Sequence, residues 1–297
     1  MSRVPLADRL ILSAEFDGAW ARFSMNENRG HFERPEANDA LAQMAKAAAN
    51  SAEANAARVA LQWVHTDAPR AILEIGASVG WNGFALQHRW PDATVSAIEP
   101  EAAAISVAAE ISVADATRRP TFLQGYAEKL PFPDASLDIV TCLTVIEHVE
   151  SPAGAIAEMA RVLRPGGMLF LEAPNYRWPR EPHLGVWCVP ELGKRSVALA
   201  ATLQGVTDAR GFLEHLKFVT PNVLERYFVD SGLRAENLAA EKLAAAARGE
   251  SAGVVAYRGA AHVLALLGRI GLASAAARIL VGAGLYPSLI YVARKPG

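Results

Sequence analysis

The chain has 297 residues, 52% of them hydrophobic, with 29 basic against 31 acidic side chains and a formal net charge of −2. That length allows one large domain or a core domain with a cap, and that hydrophobic content supports a sizeable core and excludes global disorder. The charge balance gives no basic excess for nucleic acid and no acidic tail.

Residues 1–66 read as mainly helical, a cap ahead of a main domain at 67–297. The opening MSRVPLADRLILSAEFDG sets acids close behind a short apolar run, a poor match to a signal peptide. WARFSMNENRGHFERPE is polar and aromatic and reads as irregular. EANDALAQMAKAAANSAEANAARVALQWV is alanine-rich with leucine and methionine near helical spacing. No segment reaches the ~18 uninterrupted apolar residues of a membrane span, so the expected location is the cytoplasm.

From residue 70 the pattern changes. AILEI (71–75), TVSAIE (94–99), TFLQG (121–125), LDIVTCLTV (137–145) and GMLFLEA (167–173) read as strands, with helix-like segments between most of them. PEAAAISVAAEISV opens with Pro100 and Glu101, suited to a helix first turn. SPAGAIAEMARVL takes Ser151 as N-cap and Pro152 as its first residue, and RPGG stops it. Alternating strands and helices predict an α/β fold with a doubly wound, mostly parallel sheet. Cys142 falls in a buried strand and Cys188 in a loop, so neither a disulfide framework nor a zinc site is expected.

Residues 174–219 show no regular period and hold Trp178 and Trp187 with several prolines, the mark of a lid or substrate-binding insertion. TPNVLERYFVDSGL then predicts a helix capped by Thr220, started by Pro221 and ended at Gly232. RAENLAAEKL reads as a strand, an alanine-rich helical insertion spans 243–286, and PSLIYVARKP closes the chain as a strand. Arg258, Arg269 and Arg278 are spaced along that insertion. They fit either a helical pair packed on the sheet edge or a basic amphipathic surface in peripheral contact with a membrane.

In a doubly wound sheet, ligands sit at the carboxyl ends of the strands. LEIGASVGWNG, Leu73 to Gly83, lies there, and Glu99 ends the next strand, where a carboxylate can accept both hydroxyls of an adenosine ribose. A dinucleotide fingerprint needs a glycine where Ser78 stands, because a Cβ crowds a pyrophosphate. S-adenosylmethionine has no phosphate, and its cationic amino-acid tail suits the acid Glu74.

ILEIGASVG, AIEP, GYAEKLPFPDASLDIVTCLTVIEHV and RVLRPGGMLFLEAPN, in this order over about 70–175, resemble the successive motifs of class I S-adenosylmethionine-dependent methyltransferases. They are most similar to the small-molecule branch that includes the ubiquinone- and menaquinone-pathway enzymes. The resemblance implies a seven-stranded Rossmann-like sheet and S-adenosyl-L-methionine as cofactor. It implies that Glu74, Gly76, Ser78 and Gly80 hold the methionine part and that Glu99 holds the ribose. Tyr126, Ala127 and Glu128 fall beside the adenine, with Tyr126 where the family often has an aspartate. Leu143 falls where strand backbone meets the methionine amino group.

Methyl transfer to oxygen benefits from a base, for which histidine is suited near neutral pH. His148 in IEHV and His183 in EPHLG are the candidates. The plainer readings are a helix-start histidine and a surface-loop histidine. His215 reads as structural, and His31, His65, His88 and His262 as helix-surface or loop residues. The E-x-x-E-H run that binds a divalent metal in ubiquinone-pathway relatives reads T-V-I-E-H here. Thr144 replaces the first glutamate, and with Glu147 and His148 alone no metal is expected. The expected activity is methyl transfer to a small-molecule or lipid- or sugar-linked acceptor, with oxygen as the target. A nicotinamide-dependent dehydrogenase on a similar fold and a non-catalytic cofactor-binding protein are the alternatives.

Overall fold

AILEI is apolar on both faces because it lies inside a parallel sheet covered on both sides. In the computed structural model, which describes residues 4–26, 38–113, 119–206, 209–247 and 272–297, it forms β2 (Ala71–Ile75), with four of its five residues buried. β3 (Thr94–Glu99) and β5 (Thr121–Gln124) run parallel beside it, with Ile75 opposite Ile98 and Glu99 opposite Gln124. β6 (Leu137–Leu143), β7 (Leu163–Pro174), β10 (Arg234–Asn237) and β11 (Ser288–Arg294) complete seven strands in the order β10-β11-β7-β6-β2-β3-β5. The edge pair β10–β11 is antiparallel. Strand order turns back at β2, which lies between β3 and β6, and in a doubly wound sheet ligands bind at the carboxyl ends beside such a reversal.

By packing, the chain divides into two units. The first is Met1–Thr141 with Arg161–Met168 and the second Cys142–Ala160 with Leu169–Gly297. In the first unit, α1 (Phe16–Asn26) takes in Trp20 to Asn26 of the stretch expected to be irregular. The reason is a helical stripe hidden by its polar neighbours: Phe16, Ala19, Trp20 and Phe23 are all buried. The predominantly helical start is broken by β1 (Leu10–Leu12), which pairs with β4 (Ile111–Val113). The expected helix over 100–113 is therefore shorter, α4 (Ala102–Ala109), with a strand in its last part. α2 (Asn38–Gln62) is the long alanine-rich helix and packs on α3 (Trp81–Arg89). β7 begins directly after α5 (Pro152–Val162), so RPGG lies within the strand rather than forming a separate stop. Gly167 is required there, since a Cβ would meet the Arg164 carbonyl oxygen at 2.9 Å.

In the second unit, the Ser151 hydroxyl accepts from the Gly154 N–H at 3.1 Å, as its capping role requires. Segment 174–219 is more regular than its sequence suggests. A hairpin of β8 (Arg180–Glu181) and β9 (Val186–Trp187) leads into α6 (Lys194–Leu203) and α7 (Ala209–Glu214). These share a core of Val186, Val197, Ala198, Ala201, Ala209 and Leu213. Thr220 stands at the N-cap of α8 (Pro221–Asp230) without a side-chain cap bond. The expected strand at 234–243 stops at Asn237, because its side chain accepts from the Ala239 N–H at 2.9 Å and starts α9 (Ala239–Ala247). Arg258 and Arg269 of the expected basic surface, and His31 and His262, lie outside the described residues. Arg278 stands on α10 (Ala273–Gly282). Among the described residues, no helix is long and apolar enough to cross a membrane.

Candidate active site

The loop after β2 is tied to the end of β3. The Gly76 and Ala77 N–H groups donate to the Ile98 carbonyl, at 2.8 and 3.0 Å. The Ser78 N–H donates to Glu99 Oε2 at 2.8 Å, and Glu99 Oε1 accepts from the Glu101 N–H at 3.1 Å. Glu99 is thus held by backbone at both oxygens, with 9% of the residue exposed. Ser78 has φ 48°, in the left-handed region that favours glycine, and its side chain faces solvent. Gly80, at φ 93°, is required twice over, since a Cβ there would lie 2.6 Å from the Phe122 ring.

Glu74 turns inward. It accepts from the Asn82 side chain and the Gly83 N–H, while its Oε2 has no partner among the described residues. Burial lifts its pKa to about 8, opposed by those two bonds and reinforced by the Glu99 charge. Asn82 Oδ1 accepts from Asn55 Nδ2 of α2 at 3.0 Å, and Asn55 Oδ1 from Arg58 at 2.8 Å. This polar chain from the N-terminal helix to the loop was not read from sequence. Its only trace there is the pair of asparagines in otherwise helical runs. Tyr126 is 66% exposed, Ala127 is buried and Glu128 half-buried, all just beyond β5.

Raised to about 8, Glu74 holds its proton at neutral pH and would ionise beside a cationic amino-acid tail, whereas a pyrophosphate there would oppose that ionisation. A loop that admits Ser78 and holds an acid at Glu74 therefore fits S-adenosylmethionine and not a dinucleotide.

The second unit gathers the other candidates. Leu143 ends β6, and its carbonyl accepts from Thr144 Oγ1 at 2.7 Å. Glu147 and His148 follow within the next turn. His183, from the loop after β8, joins them: His148 Nε2 and His183 Nε2 lie 3.8 and 4.0 Å from Glu147 Oε1. The two imidazoles meet edge to face at 5.3 Å. His183 Nδ1 is 2.7 Å from Glu181 Oε1, and the Leu184 N–H donates to Glu181 Oε2. Glu147 and Glu181 are both fully buried. Burial raises Glu147 to about 7, against the His183 charge and with that of Glu181. Burial, then Glu181 and Glu147, push the Tyr176 hydroxyl upward as well.

Counting ligands along the sequence gave two and the structure supplies a third, since Glu147, His148 and His183 offer ligand atoms within 4.8 Å of one another. Two ligands of one zinc, at about 2.0–2.2 Å each, are at most about 4.4 Å apart. The spacings of Glu147 Oε1 to His148 Nε2 and to His183 Nε2, 3.8 and 4.0 Å, fall within that reach. His215, read as structural, is exposed. His65 bonds the Gly166 carbonyl at 2.8 Å, and His88 is paired with Glu53.

A cavity of about 460 Å³ lies in the same unit, lined among others by Thr144, Trp178, Arg180, Pro182, Lys242 and Tyr286. Trp178 is among its lining residues. Trp187 does not line it but lies 54% exposed beneath the Arg180 guanidinium.

A methyltransferase domain model matches residues 73–171. The ubiquinone biosynthesis O-methyltransferase of Pseudomonas paraeruginosa is 31% identical over 175 residues, covering 58% of this chain and 67% of that protein. Its counterpart from Thiobacillus denitrificans is 29% identical over 185 residues, 60% and 72% of the two chains. Among solved structures, a geranyl diphosphate methyltransferase in complex with S-adenosylmethionine has the same fold. Its TM-score is 0.50 at 15% identity, over 82% of this chain and 85% of that one. The dehydrogenase and non-catalytic readings find no support in these matches. Motifs, sheet and relatives agree that the chain belongs to the class I S-adenosylmethionine-dependent methyltransferases and acts on a small molecule.

Proposed function

We propose that the protein methylates an oxygen of its acceptor and that His183, oriented by Glu181, takes the acceptor's proton. The observation that carries this reading is the 2.7 Å contact between His183 Nδ1 and the fully buried Glu181 carboxylate. A carboxylate accepting from Nδ1–H fixes the tautomer and leaves the Nε2 lone pair for a proton. S-adenosylmethionine, when bound, supplies an electrophilic methyl on a sulfonium. The acceptor hydroxyl loses its proton to His183 Nε2 as the new oxygen–carbon bond forms and the carbon–sulfur bond breaks. In this reading Glu74, Gly76, Ser78 and Gly80 hold the methionine part, Glu99 the ribose, and Tyr126, Ala127 and Glu128 the adenine edge. Leu143 meets the amino group. His148 stands edge-on to His183 and supports its orientation. The relatives' printed O-methyltransferase activity favours oxygen over nitrogen or carbon.

His183→Ala should lower turnover by roughly 10²-fold or more, the usual contribution of general-base catalysis. S-adenosylhomocysteine affinity, measured by calorimetry, should stay unchanged. Turnover that survives the substitution would remove the base and leave positioning as the protein's contribution.

A further inference from the structure

Glu74 takes two donors from the start of α3, the Asn82 side chain and the Gly83 N–H, and its Oε2 has no partner among the described residues. The Gly83 N–H is fixed by the helix backbone. The Asn82 amide is not: turned over, it would aim at Glu74 an oxygen, which cannot donate. What holds it lies on α2. Asn55 Nδ2 donates to Asn82 Oδ1 at 3.0 Å, which leaves Asn82 Nδ2 for Glu74. Arg58 Nη2 donates to Asn55 Oδ1 at 2.8 Å. A guanidinium only donates, so the direction of the whole chain is set at that end.

Helical spacing places the pair. Ala45, Ala49, Ala52, Ala56 and Val59 form the buried stripe of α2. Asn55 and Arg58, three residues apart and so neighbours on the helix surface, stand beside that stripe, half-buried, on a helix that packs against α3.

We propose that Asn55 is a positioning residue for cofactor binding: directed by Arg58, it holds the Asn82 amide so that Glu74 meets donors as it becomes the anion that receives the cofactor's cationic tail. This rests on the reading that Glu74 holds the methionine part. Burial keeps Glu74 protonated at neutral pH, so binding releases its proton to solvent, and the two donors lower the cost of that step. Of the charged groups on neighbouring elements, Glu99 at the end of β3 opposes the ionisation. Asp138 of β6 is engaged by Arg164 and by the Arg70 and Ala71 N–H groups, and His88 of α3 is paired with Glu53 of α2. Arg58 is the cation that reaches Glu74 through the amide chain.

Calorimetry of the full-length protein with S-adenosylhomocysteine tests this. Asn55→Asp still accepts from Arg58 but cannot donate, so Asn82 must turn to meet it. Affinity should fall about tenfold at pH 7 and only about threefold at pH 8.5, where Glu74 ionises more readily in either protein. The ligand's own ionisation is common to both and cancels in the ratio. A packing defect alone would cost the same factor at both pH values. Asn55→Leu, which adds no charge, should weaken binding with the same pH trend, with circular dichroism as control for the fold. Unchanged affinity in both variants, or a loss independent of pH, overturns the proposal. Glu74→Gln, measured beside them, separates the two readings. If it weakens binding while the Asn55 variants do not, the amide chain is removed and the methionine site stands. If it leaves affinity unchanged, the methionine site fails and the proposal falls with it.

Discussion

At φ 48° Ser78 occupies backbone space that favours glycine, and its N–H is committed to Glu99. The loop therefore asks for a backbone conformation and a donor at this position, and the solvent-facing hydroxyl is an addition. That is why a motif lacking its middle glycine still reads correctly. Glu99 does two things at once: it fixes the loop through Ser78 and, in the proposed role, accepts from the ribose. Removing two charge-assisted bonds, each worth about 1.5–3 kcal/mol, should cost Glu99→Ala at least tenfold in cofactor affinity. Calorimetry with S-adenosylhomocysteine checks this, with circular dichroism as control for the fold. Unchanged affinity would place the ribose elsewhere. These residues were legible in the sequence because the loop is contiguous and its partner ends the next strand. The Glu172–Lys242 pair was not, because it joins residues from β7 and α9 that carry no pattern in common.

At the scale of elements, the local signals that worked were caps and apolar runs, such as Ser151 and AILEI. Those that failed were overridden by tertiary pairing or hidden by composition. EISV became a strand because β1 lies against it. In Trp178 to His183, Pro179 and Pro182 flank and hide a strand of only two residues. The metal expectation belongs at this scale as well, since β6 delivers Glu147 and His148 and β8 delivers His183. With Thr144 in place of a carboxylate, the cluster offers one carboxylate among its three candidate ligands, and the proposed base keeps His183 Nε2 for a proton, so EDTA treatment should leave methyl transfer unchanged. Loss of activity, restored by zinc or magnesium, would show that the two elements close around a cation.

For the molecule as a whole, two carboxyl groups are buried well above their ordinary range, Glu74 at about 8 and Glu147 at about 7, each chiefly through burial. Both bind protons more tightly folded than unfolded. Their contribution to stability is therefore fully present below about pH 4.5 and is lost as pH rises through 7 and 8. The cofactor-free protein should melt at progressively lower temperature from pH 6 to 8.5, and Glu74→Gln should flatten that slope. A melting temperature that rises over this interval would mean that both groups are ionised in the folded chain.

The core beneath the β8–β9 hairpin, built from Val186, Val197, Ala201 and Leu213, is tied to the acid–imidazole cluster: Phe212 packs on His183 at 5.5 Å, and the Lys217 N–H donates to the Glu147 carbonyl at 2.7 Å. Exchanging α6 and α7 would therefore disturb the histidine that the proposed chemistry needs. For directed evolution these helices are scaffold to keep, and Trp178 and Pro182, which line the cavity ahead of them, are positions open to variation.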